Sequence, residues 1–199
     1  MCGRYSFNTT HAQRLRHLTE LLAQRGVKVQ TGEVAPGDQM AVVTGKNTHM
    51  VVTAVRWGFP GYSGGRPLIN ARAESVLSKP TFRDAFLNQR CVFPSDAFYE
   101  WDASHTRFSF AQPDGGLIFL AGFIRQYPDG PRGIILTTAP NSDVRAVHDR
   151  MPLMVPEARL RDWIMDEACA QKLLQARMGA LTATRQIGLG QDMPLGLEE

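Results

Sequence analysis

The second residue of the chain could place two nucleophiles on one carbon skeleton. The chain begins Met1-Cys2-Gly3-Arg4, and removal of Met1 before a residue as small as cysteine would leave Cys2 with a free α-amine beside its thiol. An α-amine titrates near ~7.7–8.0, and a cysteine thiolate is a strong nucleophile at neutral pH. Such a pair can condense with an aldehyde, first to an imine and then to a five-membered thiazolidine. Position alone favours an incidental cysteine, so the rest of the chain must decide.

Two titratable side chains could move protons for such a reaction. Glu100 stands in the aromatic run 98–101, and a carboxyl in apolar surroundings has a raised pKa and can act as a general acid and base near neutral pH. The same pattern fits a strand whose Glu100 faces water, and the two interpretations are level. His148 precedes Asp149 and Arg150, which suits a proton carrier, but for a histidine on its own a surface or capping role is favoured.

Asn70 is a polar amide between two apolar residues, Ile69 and Ala71. Its side chain could hold a reacting hydroxyl or stabilise developing charge. It could equally cap the N-terminus of a helix that follows, and without further context the capping role is favoured.

Cationic and aromatic side chains lie close to these candidates in the sequence. Arg4, Arg72 and Arg150 each lie within two residues of one of them, and together they would form a rim that binds phosphate. Trp57 and Phe59 could stack on bases, although a tryptophan in a strand also fits the core. Arginine outnumbers lysine by 18 to 4, a balance that is compatible with nucleic acid without requiring it.

Composition argues against a metal site, a disulfide framework and a membrane-spanning segment. The three cysteines, Cys2, Cys91 and Cys169, form no CxxC pair, so a disulfide framework or a zinc site is not expected. No two histidines have i,i+4 spacing, and we expect no metal and no cofactor. No apolar run approaches the ~20 residues of a membrane span. We therefore expect a monomer in the cytoplasm, associated with the nucleoid if the source is bacterial.

The hydrophobic patterns predict one α+β domain with a central curved, mostly antiparallel, barrel-like sheet flanked by short helices. A helix capped by Thr9 or Thr10 should end near Gly26. Further helices are predicted over residues 71–78 and 81–88. The domain is assigned to residues 1–187, and residues 188–199 to a loose tail. The main predicted strands are 40–43, 50–55, 91–93, 97–101, 107–111, 117–124 and 133–138.

Seven short motifs occur in order along the chain. They are residues 1–5 (Met-Cys-Gly-Arg-Tyr), 34–37 (Val-Ala-Pro-Gly), 57–58 (Trp-Gly), 69–74 (Ile-Asn-Ala-Arg-Ala-Glu), 98–101 (Phe-Tyr-Glu-Trp), 136–139 (Leu-Thr-Thr-Ala) and 148–152 (His-Asp-Arg-Met-Pro). Taken together, they resemble the motifs of the SRAP family, the SOS-response-associated peptidase domain proteins that crosslink to abasic sites in single-stranded DNA. Each motif alone is weak, but their joint occurrence in family order, anchored on Cys2, is highly specific.

The resemblance implies a reaction with four catalytic residues. Cys2, once Met1 is removed, would attack the ring-opened aldehyde of an abasic deoxyribose and close to a thiazolidine that shields the lesion during the DNA damage response. Asn70 would position the sugar or the N-terminus. Glu100 would shuttle protons for ring opening, imine formation and crosslink reversal. His148 would assist at the sugar hydroxyl and promote strand cleavage by β-elimination. The family name implies a peptidase activity, most simply self-removal of Met1.

The resemblance also implies the DNA contacts. Flanking phosphates would be held by the three arginines, and the DNA groove would be shaped by Pro36, Trp57 and Gly58. The chain departs from the family pattern in two places. Family members often carry a second tryptophan shortly after the Trp-Gly pair, where this chain has residues 60–65 (Pro-Gly-Tyr-Ser-Gly-Gly), and the expected Val-Asn-containing C-terminal end is absent.

Three alternatives stay open. Glutamine amidotransferases of the N-terminal-nucleophile type also begin Met-Cys-Gly, but this chain continues with Arg4 and Tyr5 and has no Asn-Gly-Asp motif. A non-covalent single-strand-binding module would bind intact and abasic strands equally. A dedicated peptidase would act on other proteins, although no feature of the sequence indicates a peptide-binding site. Only the crosslinking hypothesis needs an abasic aldehyde, a free N-terminus and Cys2 together.

Overall fold

A computed structural model describes residues 2–186 of the chain, so the tail predicted for residues 188–199 lies outside the described residues. The strands are β1 (Arg4–Phe7), β2 (Gly32–Val34), β3 (Gln39–Lys46), β4 (His49–Trp57), β5 (Asn70–Arg72), β6 (Arg90–Ser95), β7 (Ala97–Trp101), β8 (Arg107–Ala111), β9 (Ile118–Tyr127), β10 (Gly130–Thr138), β11 (Met151–Pro152) and β12 (Thr182–Gln186). The helices are α1 (Gln13–Ala23), α2 (Pro80–Asn88), α3 (Ser142–Arg145), α4 (Leu160–Met165) and α5 (Glu167–Leu173).

Five of the strands close into a ring. β3 pairs with β4 and with β6, β6 pairs with β9, and β9 pairs with β10, all antiparallel. The ring closes where β10 pairs in parallel with β4. β5 and β11 add to the same sheet through β10. The α+β class with a mostly antiparallel, barrel-like sheet is therefore confirmed.

A second, five-stranded sheet carries the N-terminus. Its order is β12-β8-β7-β1-β2, and each pairing is antiparallel. In the pairing of β1 with β7, Arg4 lies opposite Tyr99 and Tyr5 lies opposite Phe98. This register brings the first residues of the chain beside the second half of β7.

The core joins the two sheets through large buried rings. Tyr5 of β1 and Trp57 of β4 are both buried, and their ring centroids lie 5.5 Å apart. Buried apolar area of this kind is the main favourable term in folding. Cys2 belongs to the same apolar cluster, so the packing of the two sheets also fixes the position of Cys2.

Two predicted local structures are wrong. Residues 71–78 do not form a helix, because Asn70, Ala71 and Arg72 pair with β10 as strand β5 and only a 3-10 turn, Ala73–Ser75, follows. Helix α1 forms as the leucine spacing predicts, but no threonine caps it, since Ala12 occupies the N-cap. Pro80 opens α2 in its first turn, where a missing N–H costs nothing. Among the described residues, no helix combines the length and apolarity needed to cross a membrane.

Candidate active site at the N-terminus

Glu100 is buried at the end of β7 nearest the start of the chain. Only 2% of the residue is exposed, so the water-facing interpretation is wrong. Because β7 pairs with β1, Glu100 lies beside the residues that precede Arg4. Burial raises the pKa of the Glu100 carboxyl to about 7. A group with this pKa can both give and accept protons at neutral pH.

Cys2 is fully buried, and the Glu100 carboxyl is close enough for its charge to act on the Cys2 thiol. Its Sγ lies 3.8 Å from the carbonyl oxygen of Arg4. Burial, and after it the negative charge of Glu100, raises the pKa of the Cys2 thiol. The thiol is therefore protonated at neutral pH, and a nearby base is needed when it reacts.

His148 faces Glu100 from the turn that follows α3. The His148 Nε2 lies 3.9 Å from the Glu100 Oε2. The backbone N–H of Arg150 donates to Nδ1 at 3.0 Å, which favours the neutral tautomer with its proton on Nε2, toward Glu100. The Asp149 carboxylate also lies 3.0 Å from Nδ1 and stabilises the charged imidazolium. Burial lowers the pKa of His148, and the nearby carboxylate of Asp149 opposes that shift. His148 is thus half-buried beside Glu100, and its lowered pKa favours the neutral imidazole.

Asn70 lies in the strand β5, so its favoured interpretation as a helix cap is wrong. Its Nδ2 donates to the carbonyl of Ile135 on β10 at 3.4 Å. Its Oδ1 is buried and has no hydrogen-bond partner within residues 2–186. The amide therefore offers an acceptor that a bound hydroxyl or amine could use.

Trp57 positions this amide from the core. The indole Nε1–H donates to the carbonyl of Ile69 at 3.0 Å, which fixes the residue before Asn70. The Trp57 ring is 1% exposed, so it is not available to stack on a base. Gly58 has a φ of +106°, and a Cβ there would lie 3.3 Å from the Cβ of Pro67. Both residues therefore support the β5 segment rather than touch a ligand from the surface.

The three arginines occupy two locations. Arg72 of β5 is exposed and lies opposite Thr137 of β10. Arg150 donates to the carbonyl of that same Thr137 at 2.7 Å and forms a bidentate pair with Glu74, both contacts at 2.8 Å. Their pairing holds the pKa of the Glu74 carboxyl below its usual value. Arg72 and Arg150 thus lie together, and Arg150 is already partly neutralised.

Arg4 lies on the other sheet and shares a carboxylate. Its Nε lies 3.1 Å from Glu33 of β2, and the Arg107 guanidinium reaches the other oxygen of Glu33 at 2.6 Å. Pro36 is exposed in the turn after β2, and together with Arg4 it lines an open groove. The remaining residues that line this groove are Gly3, Trp101 and His105.

Two residues of the site were missed from the sequence. The Tyr5 hydroxyl is fully buried without a hydrogen-bond partner in the described part of the chain, and burial followed by the charge of Cys2 raises its pKa. Arg107 lies over the Tyr99 ring, with its guanidinium carbon 3.7 Å from the ring centroid. Strand alternation from Arg4 could have placed Tyr5 on the inner face, but no local signal marks Arg107. Residues 2–186 contain no group of three His, Cys, Asp or Glu side chains that could hold a metal ion.

The chain is similar to known proteins over most of its length. A family model described as SOS response associated peptidase (SRAP) matches residues 1–187. The abasic site processing protein YoqW of Bacillus subtilis (strain 168) is 27% identical over 195 residues, covering 88% of this chain and 87% of YoqW. The abasic site processing protein YedK of Escherichia coli (strain K12) is 27% identical over 180 residues, covering 84% of this chain and 81% of YedK. A crystal structure of a Bordetella bronchiseptica protein has the same fold, with a TM-score of 0.75, 22% identity and coverage of 94% of this chain and 100% of that one.

Proposed function

Since the chain belongs to the SOS response associated peptidase (SRAP) family, we propose that it captures abasic sites in single-stranded DNA through a thiazolidine formed by Cys2. Two relatives of similar length are named abasic site processing proteins. The observation that carries the proposal is the buried Glu100, whose pKa is about 7, beside the N-terminal cysteine. That arrangement supplies a proton donor and acceptor at the point where an amine and a thiol would meet an aldehyde.

The reaction needs the abasic sugar in its open form. An abasic deoxyribose is a closed hemiacetal in equilibrium with an aldehyde, so opening requires one proton to leave the anomeric hydroxyl and another to reach the ring oxygen. Glu100 takes the first proton as a carboxylate and, as the acid, gives one to the ring oxygen. Asn70 Oδ1 accepts a hydrogen bond from the sugar hydroxyl or the attacking amine.

Two bonds then form from Cys2. The amine attacks the aldehyde carbon, and the resulting carbinolamine loses water after Glu100 protonates its hydroxyl, which gives an imine. The thiol adds to the imine carbon, its proton leaves to the Glu100 carboxylate, and the ring nitrogen takes up a proton. The net result is a thiazolidine and one released water. The route requires that Met1 be removed, because an acylated Cys2 nitrogen cannot form an imine, and we attribute that removal to the chain's own peptidase activity.

His148 is proposed to act beside this ring. A neutral imidazole within reach of Glu100 can exchange protons with it and with the sugar hydroxyl. At the imine stage the neighbouring C–H is acidic, and His148 can accept that proton while the 3′ phosphate leaves. This β-elimination is an AP lyase side reaction, in competition with closure by the thiol.

Phosphate contacts supply affinity without sequence preference, since the lesion has no base to read. We assign these contacts to Arg4, Arg72 and Arg150. Pro36 and the turn that Trp57 and Gly58 support shape the path of the strand between the two arginine locations.

Intact mass spectrometry of the conjugate tests this chemistry. The thiazolidine predicts a mass equal to processed protein plus abasic DNA less one water, stable to denaturation. Cys2→Ser keeps the amine and loses the thiol, so it should stop at the imine and release the DNA on denaturation unless a reductant traps it. A conjugate equally stable with Cys2→Ser would contradict ring closure through sulfur. Glutamine hydrolysis without any conjugate would favour the amidotransferase alternative.

A further inference from the structure

Three arginines stand side by side across three neighbouring strands of the barrel. Arg56 of β4 lies opposite Arg132 of β10, and Arg132 lies opposite Arg125 of β9. Residues that lie opposite each other on paired strands project from the same face of a sheet, with their Cβ atoms roughly 5 Å apart. The adjacent residues Trp57 and Ile124 are buried, so the three arginines, here called the arginine row, lie on the outer face.

The arginine row carries more positive charge than its surroundings neutralise. Asp129 pairs with Arg132, and that bond, together with the charge of Arg56, lowers the pKa of the Asp129 carboxyl. The side chains of Arg56 and Arg125 have no hydrogen bond or ion pair within residues 2–186. Like charges directly opposite each other on neighbouring strands destabilise a sheet. The barrel therefore carries an electrostatic cost here that an anionic partner would remove.

Two of the three side chains are already held in place. The Arg125 guanidinium carbon lies 5.9 Å from the centroid of the Phe59 ring. The Arg132 guanidinium carbon lies at the same distance from the Tyr127 ring, and its Nη1 donates to the carbonyl of Gly58 at 3.2 Å. Side chains that are ordered before binding lose less conformational freedom when a ligand arrives.

The arginine row is close to the candidate active site. Gly58, whose carbonyl Arg132 holds, belongs to the turn that supports β5. On β10, Arg132 precedes by three residues Ile135, the partner of Asn70, which is a separation of roughly 10 Å along the strand. A strand of DNA with its abasic sugar at Asn70 can therefore reach the row with the nucleotides beyond the lesion.

We propose that the arginine row binds the phosphate backbone of DNA that continues beyond the abasic site. A backbone with a phosphate at every nucleotide matches a row in which every position is a cation, and guanidinium groups bind phosphate bidentately. Two sources carry this chemistry, namely the captured strand itself and a duplex arm beside the lesion, and the test separates them. The inference rests on the proposed function, because it supposes that the abasic sugar lies at Asn70.

The test uses DNA that cannot crosslink. The non-reactive strand is a short single strand with one tetrahydrofuran residue, an abasic analogue without an aldehyde. Two other oligonucleotides extend it on the 5′ or the 3′ side, and a further one gives it a duplex arm. Affinity is measured by fluorescence anisotropy at several salt concentrations.

Three double variants are compared with the wild type. Arg56→Gln/Arg125→Gln removes two charges of the row and keeps much of each side chain, and Arg56→Lys/Arg125→Lys keeps the charges. The matched control is Arg25→Gln/Arg161→Gln, which removes two exposed cations that donate to backbone carbonyls elsewhere on the barrel. Denaturant titration should find Arg56→Gln/Arg125→Gln at least as stable as the wild type, because like-charge repulsion is relieved.

One of the extensions should raise the affinity of the wild type and steepen its salt dependence. Arg56→Gln/Arg125→Gln should bind the short strand like the wild type and lose that gain. Its slope of log K against log salt concentration on the extended DNA should fall in magnitude by about 1.4 for a single strand or about 1.8 for a duplex arm. The lysine variant and the control should keep the wild-type slope.

Several results would overturn this assignment. They are no gain from any extension, an equal loss on the short strand, and the same loss with the control variant. Polyglutamate that displaces the extended DNA as well as single-stranded DNA does would assign the row to an acidic protein instead.

Crosslinking to a short, true abasic strand separates this inference from the proposed function. The wild type and Arg56→Gln/Arg125→Gln should crosslink it equally. If they do and no extension adds affinity, the assignment of the row fails and the function stands. If the wild type does not crosslink, the function fails whatever the anisotropy shows.

Discussion

The carboxyl of Glu100 is buried beside Cys2 and His148, and its burial has a measurable energetic consequence. A carboxyl whose pKa is raised by folding stabilises the folded state fully at a pH below its unfolded pKa. That stabilisation is lost as the pH rises through its folded pKa. For Glu100 the window runs from the ordinary value of 4.5 to about 7. The lowered pKa of His148 acts in the opposite direction, so the effect of Glu100 must be isolated by substitution.

Glu100→Gln should remove this loss of stability. The free energy of unfolding of the variant, relative to that of the wild type, should rise by roughly 3 kcal/mol from about pH 4 to about pH 8. The variant should also lose crosslinking. Chemical denaturation at the two pH values gives the comparison. A difference between the two proteins that does not change with pH would contradict a buried carboxyl of raised pKa.

The sequence singled out these residues as candidates, but it did not determine their surroundings. The aromatic run around Glu100 fits a buried and an exposed side chain equally well. The Glu100 side chain is buried because β7 pairs with β1. For Asn70, the local sequence favours a helix cap, because the residues that follow it are typical of a helix. The decision came from β10, 65 residues away in the chain, and no local pattern carries that information.

At the scale of elements, arginine side chains on neighbouring strands are partly neutralised by a shared carboxylate. Glu33 of β2 pairs with Arg4 of β1 and with Arg107 of β8. Glu33 and Arg4 are both well exposed, so this contact adds at most about 1 kcal/mol to stability. Its larger effect is on the field that a phosphate meets.

Glu33→Gln should therefore strengthen binding to single-stranded DNA by about fivefold, the equivalent of ~1 kcal/mol. The measurement is anisotropy with the non-reactive abasic strand at low salt. Glu157→Gln is the control, because it makes the same change of charge in an exposed pair with Arg14 of α1. Equal gains from the two variants would mean that Arg4 has no special place on the DNA path.

The turn after β4 is a second element whose geometry supports the site. The Gly58 φ of +106° strains any residue that has a side chain, and an added Cβ would also lie only 3.3 Å from the Cβ of Pro67. Gly58→Ala should lower the free energy of unfolding by about 1–3 kcal/mol, measured by denaturant titration, and should weaken DNA capture because β5 shifts. Gly179→Ala, where no atom lies within 4 Å of the added carbon, should change neither. A neutral Gly58→Ala would remove the case for this turn as the support of Asn70.

At the scale of the whole molecule, the hydrophobic patterns along the chain predicted a barrel-like α+β domain. They could not predict that the motifs meet on two sheets, or that Glu74 and Glu33 neutralise two of the three proposed phosphate contacts. Those ion pairs depend on the register between strands that are distant in the sequence, such as β1 and β2.

The charge of the whole surface should make binding strongly dependent on salt. Three phosphate contacts to a single strand predict a slope of about −2 for log K against log salt concentration, and Arg72→Ala should reduce its magnitude by about 0.7. Titrations at several salt concentrations with the non-reactive strand give both slopes. An unchanged slope in Arg72→Ala would exclude this arginine from the phosphate contacts.

The most direct measurement is a denaturing gel of the purified protein with single-stranded DNA that carries one abasic site. The wild type and Cys2→Ala are run side by side, and intact mass confirms that Met1 has been removed. Our account predicts a heat-stable shifted band with the wild type alone. No shift with a confirmed free Cys2, or an equal shift with Cys2→Ala, would contradict covalent capture through the N-terminal cysteine.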